Sequence, residues 1–245
     1  MYLLGDIGNS ETKLCFVSEK NKIIKKIIFS TKDINQKKLK KNFKIDFKKI
    51  EKILFCSVVP KSFNLIKKYL IKKTKVKCNE VKNLNLKSLI KIKVNYKQVG
   101  SDRITNAISL MNNKDNFIIL DFGTATTFDV LIKNTYTGGI IAPGIRLSLN
   151  TLSDKATLIP KINLKLIKKV IGKDTISAVR SGFFWGYAGL IDNIINLIKK
   201  ETRKSFKVII TGGFSELFKK SIKTKVIHNK DITINGLLKI TKLIK

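Results

Sequence analysis

The 245-residue chain is poor in several residue types: one histidine, three cysteines, three prolines, two methionines and one tryptophan. Its single histidine, His228, has no cysteine nearby, and Cys15, Cys56 and Cys78 are widely spaced with no C-x-x-C pair. That argues against a zinc centre and against a disulfide framework. The three thiols read as small buried hydrophobes, and His228 as a surface residue after a strand with no assigned role. No apolar run approaches the roughly 18 residues that a spanning helix needs, so no membrane segment is expected. The opening MYLLGDIGNS has no basic leader, and Asp6 interrupts its apolar start, so it does not read as a signal peptide. Free thiols in such a chain point to a reducing cytoplasm. A Walker loop is missing too, because Gly172-Lys173 is followed by Asp174.

Acidic residues are scarce. Asp and Glu number 17 against 50 Lys and Arg, a formal net charge of +33. Such an excess invites a nucleic-acid reading, because cations neutralise phosphates and release counterions. Only Arg103, Arg146, Arg180 and Arg203 are arginine, however, and arginine is the residue that reads guanine edges. No helix-turn-helix, RNA-binding aromatic motif or zinc finger is evident. The excess therefore reads as a solvated lysine coat, with no specific nucleic-acid partner. At 43% hydrophobic, the chain has ample apolar content for a packed core.

Apolar periodicity predicts strands over 2–7, 12–17 and 22–29, the first two forming a hairpin around Gly8-Asn9-Ser10. A lysine-rich helix and loop over 33–49, a strand over 53–59, a helix after Pro60, a strand over 75–80 and a helix over 103–111 follow. The opening pattern then recurs, with a strand over 117–122, the turn Gly123-Thr124-Ala125-Thr126 and a strand over 127–132. Aligning Asp6 with Asp121 matches Gly8 to Gly123 and Thr12 to Thr127, 115 residues apart. An internal duplication follows, with halves at 1–115 and 116–245. The second half continues with a strand over 137–142 and a helix from Gly144. A largely helical stretch over 174–199 is expected to break near Ser181-Gly182. A strand over 208–210, the turn Thr211-Gly212-Gly213, a short helix, a strand over 225–228 and a final helix from Ile232 complete the pattern.

A tight glycine turn between strands exposes backbone N–H groups that can surround phosphate oxygens, and Gly8 and Gly123 remove side chains where a phosphate must approach. Asn9, Ser10, Thr12, Thr124 and Thr126 can add donors, and Lys13 a positive charge. Asp6 and Asp121 oppose phosphates unless they hold cations, for which hard carboxylate ligands suit Mg²⁺ or a monovalent ion. Plain hairpins that need glycine for positive φ remain the alternative. Thr211-Gly212-Gly213 is a strand-to-helix turn suited to a nucleoside. Asp102, in Gly100-Ser101-Asp102-Arg103, is either a helix cap or a carboxylate able to accept a substrate hydroxyl proton. Arg103 can pair with a substrate carboxylate or phosphate.

Seven segments, in order, resemble the type III pantothenate kinase family. They are DIGNSETKL (6–14), SVVP (57–60), GSDRITN (100–106), DFGTATTFDV (121–130), GGIIAPGIRLS (138–148), IGKDTISAVRSGFFWGYAGLID (171–192) and ITGGFSEL (210–217). The resemblance implies an α/β fold, the duplicated ribonuclease-H-like or actin-like architecture of mixed sheets flanked by helices, with the nucleotide between the halves. It implies ATP-dependent phosphorylation of pantothenate to 4′-phosphopantothenate. It also implies that Asp6, Ile7, Gly8, Asn9, Ser10, Glu11, Thr12 and Lys13 form the ATP-phosphate loop, with Thr124 a second contact. Gly100, Ser101, Asp102 and Arg103 would form the pantothenate loop, with Asp102 the proton acceptor. Asp121 would hold a monovalent cation, and Thr175 would contact pantothenate across a homodimer interface. Mg²⁺ and K⁺ or NH₄⁺ are the implied ions.

Three positions depart from the family pattern: Tyr96 where a proline is common, Lys93 where a tyrosine is common, and Asp174 where an asparagine precedes the threonine. Gly182, Gly186 and Gly189 leave one helix face nearly bare, which suits either close approach of a second copy or packing within the subunit. Two other functions stay open at the level of sequence. One is a nucleic-acid-binding transcriptional accessory factor on the same scaffold, a role described for proteins like this family. The other is a kinase for another small alcohol.

Overall fold

The N-terminal alternation builds a hairpin. Strands β1 (Tyr2–Ile7) and β2 (Glu11–Val17) pair antiparallel with Asp6 opposite Lys13, and β3 (Ile23–Ser30) pairs with β2. This computed structural model describes residues 1–43 and 45–244. Helix α1 (Gln36–Asn42) starts where Asn35 caps the Lys38 N–H. Strand β4 (Lys52–Ser57) lies parallel to β1, and Pro60 opens helix α2 (Pro60–Ile71), where its missing N–H costs nothing. Strand β5 (Cys78–Glu80) adds to the far side of β4, giving the order β3-β2-β1-β4-β5. The two-residue strand β6 (Lys91–Ile92) and helix α3 (Ser101–Leu110) follow. One face of the sheet buries Leu3, Leu14, Phe16, Ile53 and Phe55 with Phe63, Ile66 and Leu70 of α2.

The second unit repeats the plan. Strands β7 (Asn116–Phe122) and β8 (Ala125–Ile132) form an antiparallel hairpin, and β9 (Thr135–Pro143) comes next. Helices α4 (Ile145–Lys155) and α5 (Thr175–Thr202) precede β10 (Lys207–Gly212), which is parallel to β7. Helix α6 (Ser215–Phe218) and strand β11 (Val226–His228), parallel to β10, complete it. Apart from β6, which adds to the outer edge of β9, the order β9-β8-β7-β10-β11 matches β3-β2-β1-β4-β5. Each half thus has the ribonuclease-H-like hairpin followed by parallel crossovers, and the duplication read from two Asp-Gly turns is a duplication of topology. Ile118, Leu120, Phe128 and Val130 pack under Leu149 of α4 and Phe184, Ile191 and Ile195 of α5.

The last helix, α7 (Ile232–Leu243), belongs with the first unit rather than the second. The first unit is Met1–Met111 with Asn134–Tyr136 and the segment from Asp231; the second is Asn112–Lys133 with Thr137–Lys230. The sequence expectation ran the second half from 116 to the end. The difference arises because α7 buries Ile234, Leu237 and Ile240 in the unit that holds β1, β4 and α3. A Cβ at Gly236 would lie 2.1 Å from the Thr105 carbonyl oxygen, so α7 and α3 touch backbone to backbone. Strand β6, which periodicity missed, pairs with Thr135 and Tyr136 inside the first unit. The break expected near Ser181-Gly182 is also absent: α5 runs unbroken for 28 residues. Gly182 costs about 1 kcal/mol of helix propensity, which burial of Phe184, Ala188 and Ile191 outweighs.

Candidate active site

In the first unit the Gly8–Glu11 turn is held from below. Gly8 N–H donates to Glu11 O (2.9 Å), Thr31 N–H to Ser10 O (3.0 Å), and Thr31 Oγ1 to Gly8 O (2.7 Å). Thr12 Oγ1 lies 2.9 Å from Thr31 Oγ1 and is buried, so this hydroxyl braces the turn instead of facing outward. Asn9, Ser10 and Glu11 are exposed, and Lys13 Nζ lies 3.4 Å from Glu11 Oε1. Burial pushes the Asp6 carboxyl up to about 7; Lys13 opposes this, while Asp102 and Glu11 add to it.

Asp102 sits in the first turn of α3, a favourable end of the helix dipole for its charge. The cap position is Gly100, which has no side-chain cap, so the cap reading of Asp102 fails. Its Oδ1 accepts from the Arg103 N–H at 2.8 Å. A Cβ at Gly100 would fall 2.3 Å from that same oxygen, which is why glycine precedes the loop. Burial raises the Asp102 carboxyl above the ordinary range, while Arg103 and Lys82 pull it down. Ser101 is buried, its Oγ 3.0 Å from Ser57 N, 3.1 Å from Ser57 O and 3.6 Å from Cys56 Sγ. Cys56 and Ser57, which Ser101 Oγ contacts, pair with Asp6 and Ile7 across β1 and β4, so the first turn and the Gly100–Arg103 loop share one neighbourhood. All three cysteines are buried and free, and burial pushes each thiol up, Cys15 to about 11 and Cys78 to about 12, so none serves as a thiolate. A cavity of about 540 Å³ in the same unit is walled by Leu84, Leu86, Ile90, Ile92, Val94 and Tyr96.

In the second unit Asp121 stands opposite Thr127, and Gly123 N–H donates to Ala125 O at 3.1 Å. This turn is one residue shorter than the first. The residue facing the aspartate is therefore Lys13 in one hairpin and Thr127 in the other, and the sequence match of Thr12 to Thr127 slips by one. Two glycines crowd this corner. Gly212 has φ +87°, and a Cβ there would lie 2.5 Å from Asp121 Oδ1; one at Gly144 would lie 2.0 Å from Thr124 O. Gly213 N–H donates to Phe122 O at 3.0 Å. Asp121, Thr124 and the Gly212-Gly213 turn are thus brought together. Thr126 Oγ1 is buried and lacks a hydrogen-bond partner among the described residues, so it is not an outward donor.

Thr175 is the exposed first residue of α5. Asp174 caps the helix in a capping box with Ser177, a role asparagine fills equally well. Farther along, a Cβ at Gly182, Gly186 or Gly189 would meet nothing within 4 Å, so the bare face is not used for packing inside the subunit. Exposed Ile141, Leu147, Ile176 and Trp185 belong to the same unit.

Three side chains escaped the sequence reading. His228 is only 16% exposed and bonded through both ring nitrogens, to Ser215 Oγ (2.9 Å) and Glu216 Oε1 (2.9 Å). Glu80 is buried, and Lys82 reaches the turn before Gly100. No spacing signal links any of them to its partner. Among the described residues, no cluster of three His, Cys, Asp or Glu side chains suits a metal ion, and no helix is long and apolar enough to cross a membrane.

Known proteins share both sequence and fold. The family model described as type III pantothenate kinase matches residues 2–197. A type III pantothenate kinase of Pelagibacter ubique is 68% identical over 248 residues, covering 100% of both chains. Another, from a Sulfurihydrogenibium species, is 34% identical and covers 99% of this chain and 100% of its own. Among solved structures, component A of (R)-2-hydroxyglutaryl-CoA dehydratase from Acidaminococcus fermentans superposes with TM-score 0.54 at 12% identity, covering 97% and 95%, a likeness of fold alone.

Proposed function

Since the chain belongs to the type III pantothenate kinase family, we propose that its reaction runs on the two Asp-Gly hairpins and the Gly100–Arg103 loop. The chain is a kinase that uses ATP to phosphorylate pantothenate to 4′-phosphopantothenate, the first step of coenzyme A biosynthesis.

Asp102 is the proton acceptor. Phosphoryl transfer passes through a loose transition state, so the alcohol loses its proton late and a carboxylate is a sufficient base. The observation that carries this role is the placement of Asp102: half-buried, in the first turn of α3, with Gly100 cleared of a side chain beside its Oδ1. Arg103 pairs with the pantothenate carboxylate, and Gly100 and Ser101 complete that loop. The Asp6–Lys13 segment forms the ATP-phosphate loop, supported by the exposed Asn9-Ser10-Glu11 crest and by Lys13, with Ile7 and Thr12 buried beneath it. With its carboxyl pushed up to about 7, Asp6 is partly uncharged near neutrality and opposes the phosphates less than a free aspartate.

Thr124 is a second phosphate contact. Asp121 holds a monovalent cation, K⁺ or NH₄⁺. One carboxylate beside backbone oxygens suits such an ion, and the described residues offer no carboxylate cluster of the kind divalent sites use. Mg²⁺, when bound with ATP, neutralises the charge on the phosphates. The bare glycine face of α5 and the exposed apolar residues of its unit support a homodimer, with Thr175 reaching the pantothenate of a second copy. Three buried free thiols are in keeping with a cytoplasmic setting.

The test is an acceptor panel with ATP, run with and without Mg²⁺ and K⁺. The expected result is ADP formation that depends on pantothenate and on both ions. Turnover indifferent to K⁺ would remove the cation role of Asp121, and preference for another alcohol would overturn the assignment of the pantothenate loop.

A further inference from the structure

Two charged residues beside the Gly100–Arg103 loop have no part in the reaction described so far. Glu80 ends β5 and is buried. Its Oε2 accepts from the Lys82 N–H at 2.6 Å and its Oε1 from the Ser57 N–H at 3.3 Å, the same N–H that lies 3.0 Å from Ser101 Oγ. Glu80 therefore ties the end of β4 to the turn after β5, and through Ser57 it reaches the first residue of α3. Ser101 is the residue immediately before the proposed base.

Lys82 spends its ammonium on the turn that leads into the same loop. Nζ donates to Tyr96 O at 3.0 Å and Lys97 O at 3.1 Å, and lies 5.2 Å from the centre of the Tyr96 ring. A lysine held by two carbonyls and an aromatic face is a fixed charge, not a swinging one. A buried carboxylate such as Glu80 is costly unless its oxygens are bonded, and apolar residues of similar volume would fill the space at lower cost. The feature that apolar residues cannot reproduce is a fixed pattern of bonds and charge around the start of α3.

We infer that Glu80 and Lys82 are positioning residues for Asp102: Glu80 fixes Ser101 through the Ser57 N–H that both bond, and Lys82 fixes the Tyr96–Gln98 turn that leads into the loop carrying the base. This inference rests on Asp102 being the proton acceptor. The charged and titratable groups around Asp102 are Arg103 on its own helix, Asp6 on β1 and Lys82 after β5, with Glu80 and Cys56 grouped around Ser101. Burial favours the protonated form of Asp102, and so does Asp6 when ionised; Arg103 and Lys82 favour the carboxylate. Without Lys82, only Arg103 remains of these two cations, and the carboxyl holds its proton to higher pH.

The test measures kcat against pH, with KM for ATP and for pantothenate, in Lys82→Met, Lys82→Arg, Glu80→Gln and Asp102→Asn. In Lys82→Met the acid limb of kcat should move to higher pH, with turnover at pH 6.5 down by about 3–10-fold and largely recovered at pH 8.5. Lys82→Arg should restore the limb. Glu80→Gln should lower kcat by about 10-fold at every pH, since a glutamine offers one acceptor oxygen where the glutamate offers two. KM for ATP should stay unchanged in all three. An unmoved acid limb in both Lys82→Met and a second variant, Lys82→Gln, overturns the role of Lys82, and wild-type kcat in Glu80→Gln overturns that of Glu80. A general loss of folding would lower kcat without moving the limb, and so would also count against Lys82. Retained turnover in Asp102→Asn is a separate result, because it removes the base itself.

Discussion

The imidazole of His228 lies between Ser215 and Glu216, with Nε2 2.9 Å from Ser215 Oγ and Nδ1 2.9 Å from Glu216 Oε1. Ser215 in turn donates to Gly212 O at 2.7 Å, so a strand-end histidine is linked to the carbonyl of a glycine at positive φ. Ser215 Oγ, having donated its proton, accepts from the ring, and an ionised glutamate can only accept. His228→Ala and Ser215→Ala should each cost about 1 kcal/mol. That corresponds to roughly 2–4 °C in Tm for a chain of this size. The double variant should cost less than the sum of the two, measurable by thermal unfolding in a double-mutant cycle. Strict additivity would mean that the bond carries no stability.

Asp6 gives a pH dependence of known sign. Its carboxyl is about 7 in the folded protein, against about 3.9 for an unfolded aspartate. The stability linked to its proton is full below the unfolded value and is lost as pH rises through about 7. At pH 8 the burial of the charge is a burden, on the order of 1–2 kcal/mol once partial exposure is allowed for. Asp6→Asn should therefore raise Tm of the ligand-free protein at pH 8 and have little effect at pH 4. A variant no more stable than the parent at pH 8 would count against the raised value.

For Asp102, loss of the carboxylate should lower kcat by about 10²–10⁴-fold with the fold intact. Circular dichroism and Tm of Asp102→Asn should match the parent within a few degrees. Full turnover in the variant would rule out Asp102 as the base.

If a second copy docks on the bare face of α5, as proposed, folding and assembly can be tested separately there. A Cβ at Gly186 meets nothing within 4 Å in its own subunit, and replacing the glycine by leucine gains helix propensity of about 1 kcal/mol. Gly186→Leu should leave Tm of the isolated subunit unchanged or higher while shifting the mass measured by light scattering from dimer to monomer. A variant that stays dimeric would place the interface elsewhere.

The lysine coat should bind DNA in low salt without selecting sequence. With +33 formal charges and only four arginines, the interaction is one of counterion release, and it should weaken steeply by 0.15–0.2 M salt in a fluorescence titration. Sequence-selective binding that survives such salt would revive the transcriptional reading.

Much of the fold is legible because its strands are strongly patterned. Leu3, Leu14, Phe16, Ile118, Leu120 and Phe128 point into cores at the alternation that their sequence shows. The repeated Asp-x-Gly was legible because turn chemistry is local, and it marks the same place in two sheets of the same order. The site's supporting residues were not legible, because each acts on a distant partner. Glu80 meets Ser57 and Lys82 meets Tyr96, while His228 meets Ser215, and no periodicity connects those positions. The two-residue β6 is too short to carry a pattern. Gly182 weakens a helix locally, but the core beneath it decides the outcome. The membership of α7 escaped because an amphipathic helix announces that it will bury a face, not which sheet it will choose.

That choice matters for how the protein comes into being. The N-terminal sheet meets α7 across β1 and β4, and Gly236 presses against the backbone of Thr105. A nascent chain that has emerged only to residue 111 lacks this layer and presents apolar surface on β1, β4 and α3. The second unit, residues 112–133 and 137–230, is by contrast complete before synthesis reaches Asp231. The half made first is therefore the half finished last, and on the ribosome the N-terminal sheet must wait, partly unroofed, for the final helix to arrive.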